Sequence, residues 1–309
     1  MGSKFFEVCD VDEKMTFVNY SCFHKKYGKN VQFPCFTDSS DDWIMKKRFF
    51  NGPFGLVSEV FHTELLGLMG RNVVENKLAV DANGDGGILS KVIYGEGEGT
   101  KLKNIDKLYE EDNYFSGQKW FPLVVLANLQ EGQSARYSKS LVRAYQDHSL
   151  VQILDTIKGN NIKTLGDEMA PMFDMNLASA FIEGHYPSPI KHSVPPQDVQ
   201  EEFVMPIGNR LLIHKWSPDL EEEFREAALS LVSGSKRADY EELCASIARD
   251  NVVDFLGNSI LDKGEWHIGN FIGSDTLVRA KNMSKQVKSI YDKRLKEIID
   301  PSTSLQSSY

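Results

Sequence analysis

The sequence predicts an α+β protein built as two lobes of unequal size, and three observations lead there. The 309 residues are 41% hydrophobic and 26% charged, enough for two domains or one large two-lobed unit at roughly 100–200 residues per domain. Residues 5–94 read as strands and turns around a single helix, whereas the text beyond residue 100 turns mainly helical. Between them Gly95-Glu-Gly-Glu-Gly-Thr100 is a flexible acidic stretch and the best place for a boundary. The expected division is a strand-rich N-terminal lobe, 1–100, and a helical C-terminal lobe, 101–309, with a cleft between them.

In the first lobe Gly28-Lys29-Asn30 is a turn signal. Val31-Gln32-Phe33 and Trp43-Ile44-Met45-Lys46 are short strands on either side of a polar loop from Thr37 to Asp42. From Ser58 to Gly70 the text switches to helical periodicity, with Phe61, Leu65 and Leu68 at spacings of four and three, Ser58 as N-cap and Gly70 as the stop. Lys77–Val80 and Ile88–Ile93 then flank Asp81 to Gly87 as a β-hairpin. The tip imitates the first half of a calcium loop through Asp81, Asn83, Asp85 and Gly86. The twelfth position is Val92, where a bidentate Glu is required, so the turn is the better reading.

The second lobe offers candidate helices Phe121–Leu129, Ser138–Ile157, Asp219–Ser233, Ala238–Leu256 and Ser284–Ile299, with irregular proline-bearing text from Tyr186 to Gln197. There is no internal repeat.

Charge and cysteine usage exclude several functions. Lys and Arg total 35 against 44 Asp and Glu, giving −9 with no dense basic run, so tight sequence-independent binding to nucleic acid is not expected. Cys9, Cys22, Cys35 and Cys244 form no Cys-x-x-Cys pair and have no His at ligand spacing; they read as ordinary thiols. No apolar run approaches the ~20 residues of a membrane helix, and the first residues lack the apolar core of a signal peptide. A cytoplasmic protein is expected, or one delivered into a host cell by a system that needs no cleaved signal.

Three local patterns can carry chemistry. Trp43-Ile-Met-Lys46 ends a strand in a lysine, and Glu59 follows 13 residues later on the helix. A buried lysine needs an anionic partner, and a strand lysine paired to a helix glutamate holds nucleotide phosphates in kinase folds. The same text is also compatible with a solvated strand end at Lys46, Lys47 and Arg48. Met169-Ala-Pro-Met-Phe-Asp174 is an apolar run ending in an acid, suited to a hard cation bridging phosphates, or else to capping the segment that follows. Asp155-Thr-Ile-Lys-Gly-Asn160 spaces a carboxylate and an amide five positions apart, as a base and a metal ligand require, or forms a helix end and tight turn.

Read in order, Trp43-Ile-Met-Lys46, Val57-Ser-Glu59, the helix ending Leu-Gly-Leu-Met-Gly70, the strand Leu89-Ser-Lys-Val-Ile93 and Ala170-Pro-Met-Phe-Asp174 resemble the HipA-like bacterial serine/threonine kinases, especially their compact CtkA-like members. Tyr291 to Asp300 also looks like that family's last helix. The resemblance implies a protein-kinase-like, HipA-like fold with ATP and Mg²⁺ or Mn²⁺ as cofactors and a protein Ser/Thr hydroxyl as acceptor. It implies phosphate contacts from Lys46, oriented by Glu59, and metal binding by Asp174. Asp155 would then be the base and Asn160 a second metal ligand, with Lys91 and Gly28 in the nucleotide site. An antitoxin or a host protein would be a fitting partner.

The loop at Asp155 keeps the acid and the amide at the family's spacing but lacks the arginine or histidine beside the acid. A pseudokinase that binds nucleotide without transferring phosphate is therefore one alternative, and a non-enzymatic helical adaptor is another. Glu265-Trp-His267-Ile-Gly-Asn270 looks superficially like a His-x-x-Asn loop but falls after Asp174, and a packed loop is the better reading. His148 reads as an ordinary helix histidine, His24 with Lys25, Lys26, Tyr27 and Gly28 is a weak candidate for the nucleotide-covering loop because it has one glycine where that loop wants several, and Ser134, Ser138 and Ser179 are nominal acceptors for self-phosphorylation.

Overall fold

The structure is a computed structural model. It describes residues 4–11, 16–17, 35–37, 42–46, 53–92, 102–104, 143, 146–147, 150–151, 163–165, 168–172, 175, 178–181, 218–258 and 274–300.

A six-stranded sheet forms from β1 (Val8–Asp10), β2 (Thr16–Phe17), β3 (Cys35–Thr37), β4 (Asp42–Lys46), β5 (Asn76–Val80) and β6 (Gly86–Lys91). Its order is β1-β5-β6-β4-β3-β2, with β1 parallel to β5 and every other neighbouring pair antiparallel. The β5–β6 hairpin closes as expected. The Asp81 carboxylate accepts the N–H groups of Asn83 and Asp85, each at 2.9 Å, and Gly84 supplies a left-handed residue at φ 79°.

Register fixes which face each side chain takes. Leu78 pairs with Ile88, and Ile88 with Lys46, so these three share one face. Ala79, Leu89, Met45 and Trp43 take the other, where they form a small buried cluster with Val11.

Helix α1 (Pro53–Leu68) packs against the first face and begins five residues before Ser58. Proline at the first position is pre-set for a helix and lacks only a donor that has no partner there. Phe54, Leu56, Val57, Val60, Phe61, Leu65 and Leu66 are each at most 1% exposed. From Phe54 to Thr63 the helix is buried on all sides and shows no single apolar stripe, which is why the periodic signal begins late. Gly55 and Gly67 cost the helix about 1 kcal/mol each. One buried Phe or Leu contributes about 1.5–3 kcal/mol, so packing decides the element. Gly70, at φ 76°, ends it as expected, with its N–H on the Gly67 carbonyl and that of Arg71 on Leu66, both at 2.9 Å.

Beyond residue 100 the chain is less purely helical than expected. A three-stranded antiparallel sheet joins β7 (Leu102–Asn104), β8 (Lys163–Leu165) and β9 (Glu168–Met169), placing a hairpin between Asn160 and Asp174 in the sequence. Among the described residues four helices follow: α2 (Pro218–Val232), α3 (Arg237–Ser246), α4 (Asp250–Asn258) and α5 (Ser274–Ile299). The span read as one helix from Ala238 to Leu256 is thus two. Ser246 Oγ donates to the Glu242 carbonyl at 2.6 Å, a bond that bends helices, and Arg249 turns back to grip the Glu242 carboxylate at 2.8 and 3.0 Å. Of the expected helix Ser138–Ile157, residues 143, 146–147 and 150–151 are described and helical; Phe121–Leu129 and the strand at Val31–Phe33 lie outside the described residues.

One apolar cluster runs from Phe5 and Phe6 through α1 and the sheet to Phe224, Tyr240, Tyr291 and Ile298. No helix among the described residues is long and apolar enough to cross a membrane.

Candidate functional site

Lys46 closes β4 and Glu59 stands on α1, and the Lys46 ammonium lies 2.7 Å from Glu59 Oε1. The Glu59 side chain is fully buried and that of Lys46 is 13% exposed. This is not a surface ion pair, of the kind worth about 0–1 kcal/mol. A carboxylate withdrawn from water needs a cation, and removing either partner of such a pair costs on the order of 3–5 kcal/mol. The arrangement holds the ammonium in a direction set by Glu59.

A glycine without any motif around it shapes this position. At Gly87 on β6, an added Cβ would stand 2.7 Å from the Lys46 carbonyl oxygen and 2.9 Å from Met45 Cε. β4 therefore approaches β6 more closely at Lys46 than any side chain would permit. A glycine inside a strand pattern is the sequence signal that marks such a close approach.

Lys91 does not join the pair. It stands opposite Trp43 in the β4–β6 register, three residues from Lys46 along β4, and so takes the opposite face of the sheet. There it lies 3.8 Å from the Glu75 carboxylate.

The expected N-cap Ser58 is inside α1, and its hydroxyl serves a different purpose. It donates to the Met175 carbonyl at 2.8 Å, linking the residue before Glu59 to the residue after Asp174. One turn further on, His62 is fully buried, donating from Nδ1 to the Ser58 carbonyl at 2.6 Å and accepting at Nε2 from the Tyr291 hydroxyl of α5. Burial pushes the His62 pKa down to about 3, so the ring is neutral and holds this tautomer. Around it Phe61, Phe181 and Tyr291 pack with their ring centroids 5.3–5.6 Å from that of His62. Sequence periodicity marks none of these partners, which meet across 117 and 229 residues of chain.

A buried polar ladder steadies the same helix. Asn76 on β5 donates to Thr63 Oγ1 at 2.8 Å, Ser90 on β6 donates to Asn76 Oδ1 at 2.5 Å, and Thr63 itself donates to the Glu59 carbonyl at 3.0 Å. The main sheet and the glutamate-bearing helix are joined by direct hydrogen bonds as well as by packing.

Gly28, Asp155, Asn160 and Asp174 lie outside the described residues, as do His24, His148, Ser134, Ser138, His267 and Asn270. Ser179 is described, in a short 3₁₀ turn, with its hydroxyl engaged by Arg294. Among the described residues no three His, Cys, Asp or Glu side chains converge as a metal centre. The described thiols are inert: burial raises Cys9 to about 11 and Cys244 to about 12.

The sheet, the glutamate-bearing helix packed on it and the lysine joined to that glutamate belong to a kinase-like fold. Among solved structures the chain is similar to the crystal structure of a Helicobacter pylori proinflammatory kinase, CtkA, with a TM-score of 0.52 and 15% identity, covering 96% of this chain and 99% of that one. At that identity the likeness shows the fold alone. No family model matches the chain, and no curated protein matches it.

Proposed function

We propose that this chain is a two-lobed, HipA-like kinase that binds ATP and transfers the γ-phosphoryl group to a Ser or Thr hydroxyl of a protein. The observation that carries the reading is the 2.7 Å contact between Lys46 and the fully buried Glu59. A lysine so held gains its direction from the glutamate, as a strand lysine that contacts nucleotide phosphates requires. The kinase-like fold supplies the second support.

In this reading Lys46 contacts the ATP phosphates and Glu59 orients it, while Gly28 belongs to the loop covering the nucleotide. Asp155 accepts the proton of the attacking hydroxyl, and Asn160 and Asp174 are the residues that hold Mg²⁺ or Mn²⁺, which neutralises charge on the phosphates. The protein acceptor, whether bacterial or of a host cell, and a neutralising antitoxin are proposed partners on the strength of the resemblance alone. A cytoplasmic site of action, or delivery into a host cell, is proposed on the same ground.

The experiment follows labelled γ-phosphate from ATP into protein, for the wild type and for Asp174→Ala and Lys46→Ala. Transfer by the wild type, abolished in the first variant and sharply reduced in the second, is the expected result. A nucleotide-induced thermal shift with no transfer would favour the pseudokinase reading, consistent with the absence of an Arg or His beside Asp155. Neither shift nor transfer would remove the assignment altogether.

A further inference from the structure

The C-terminal helix α5 carries a charge opposite in sign to that of the whole chain. It holds seven Lys or Arg against three Asp or Glu, in a chain of net charge −9. Its inner side is committed to the core, where Ala280, Met283, Val287, Tyr291, Leu295 and Ile298 are each at most 7% exposed. Lys281, Lys285, Lys288 and Lys296 follow one another at steps of four, three and eight residues, which set them on one stripe of the helix. Lys281, Lys285 and Lys296 are exposed, and the stripe runs about 22 Å from first to last lysine at the helical rise of about 1.5 Å per residue.

Most of this charge is not neutralised from within. The one acid on the stripe, Asp292, is already engaged, accepting from the Tyr240 hydroxyl at 2.9 Å and from Lys288 Nζ at 2.7 Å. Among the described residues Lys281, Lys285 and Lys296 have no acidic partner. The helix macrodipole favours cations only in the last turn, where Lys296 stands, and gives no reason for Lys281 and Lys285. At the N-terminal end of the stripe Leu277 and Val278 are 37% and 55% exposed, two of the three large apolar side chains that are exposed among the described residues.

We infer that this face of α5 is a docking surface for an acidic protein segment, whose carboxylates lie along Lys281, Lys285 and Lys296 and whose apolar end rests on Leu277 and Val278. The surface is separate from the kinase reading and does not depend on it. An extended segment of about seven residues covers its length at about 3.3 Å per residue. An anionic bilayer or a nucleic-acid duplex is wider than one helix face. Either would bring its own charge against the acidic remainder of the chain, within the screening length of about 8–10 Å. A single narrow segment meets the lysines alone. Each exposed pair contributes little, so binding is of modest affinity and falls with salt.

The test measures fluorescence anisotropy of a labelled peptide, one leucine followed by about seven glutamates, titrated with the full chain at about 50 and about 300 mM NaCl. The proteins are the wild type, Lys281→Glu with Lys285→Glu and Lys296→Glu, and the same three positions changed to Gln, which keeps the question answerable if the reversal disturbs the fold. A control, Lys4→Glu with Arg237→Glu and Arg249→Glu, alters net charge equally with the reversal at exposed positions elsewhere. Saturable binding is expected for the wild type and the control. It should weaken at least about tenfold in the Glu variant and about threefold in the Gln variant, and fall at the higher salt. No binding by the wild type, or equal losses in the stripe variants and the control, would overturn the inference. Tighter binding of phosphatidylserine vesicles or of a single-stranded oligonucleotide through the same lysines would also overturn it, assigning the stripe to a lipid or a nucleic acid. So would a dimer in sedimentation that the stripe variants alone dissociate, since the occupant would then be a second copy. None of these outcomes touches the kinase reading, which phosphate transfer decides.

Discussion

The Ser58 hydroxyl donates to the Met175 carbonyl at 2.8 Å, and through this one bond the helix that carries Glu59 is fastened to the chain that has just passed Asp174. The two residues are 117 positions apart, and Ser58 is fully buried. Ser58→Ala leaves a buried carbonyl short of its donor and is expected to lower stability by about 1–3 kcal/mol, read as a drop in the urea midpoint without a change in slope. A neutral outcome would mean that the bond is replaceable by water.

The Lys46–Glu59 pair makes a sharper forecast, because its two members are not equally dispensable. Lys46→Met takes the ammonium away from a fully buried carboxylate and is expected to cost about 3–5 kcal/mol. Adding Glu59→Gln to that variant removes the buried charge, so the double variant should be more stable than Lys46→Met alone. Denaturant unfolding of the four proteins of this cycle checks it; a double variant no better than the single one contradicts a buried pair.

His62 gives the stability a pH dependence of known sign. An imidazole in water titrates near 6.5, and burial in the fold holds this ring down at about 3. The unfolded chain therefore takes up a proton below 6.5 that the folded chain refuses, and stability falls as pH drops toward 3. Between pH 6.5 and 5 this single group accounts for about 2 kcal/mol. His62→Gln should flatten the wild-type slope across that interval. An unchanged slope would place the titration elsewhere.

Two glycines should respond in opposite directions. Gly87→Ala forces a methyl to 2.7 Å from the Lys46 carbonyl oxygen, a clash with backbone that has no flexible way out, and is expected to cost about 1–3 kcal/mol while disturbing Lys46. Gly67→Ala, inside α1, meets only Val73 Cγ2 at 3.7 Å and should stabilise by about 0.5–1 kcal/mol. Thermal melts of the two variants, run side by side, decide the matter.

The sequence is most legible where local chemistry dictates local geometry. The turn at Asp81 to Gly87, the stop at Gly70 and the strand ending in Lys46 are written in turn residues and spacing, and all lie where those signals put them. Element boundaries blur where burial overrides pattern: the start of α1 is apolar on every side, and α5 begins at Ser274, ten residues before its periodic stripe becomes clear. The second sheet has strands of two and three residues, too short for any period to register. Of the site, the lysine and the glutamate can be read 13 residues apart as a strand end and a helix. What fastens the glutamate-bearing helix, the Met175 carbonyl and the Tyr291 hydroxyl, comes from more than a hundred residues further along the chain, where only the folded backbone brings polar atoms together. Which face Lys91 takes is likewise set by register: its odd offset from Lys46 in the β4–β6 ladder puts it on the opposite face.

Whether the lysine serves a nucleotide is answered by calorimetric titration of the intact chain with ATP and Mg²⁺, up to about 5 mM, for the wild type and Lys46→Met. Saturable binding by the wild type and at least about tenfold weaker binding by the variant, folded and measured under the same conditions, are expected. Equal affinities in the two proteins, or no heat of binding in the wild type, would contradict it.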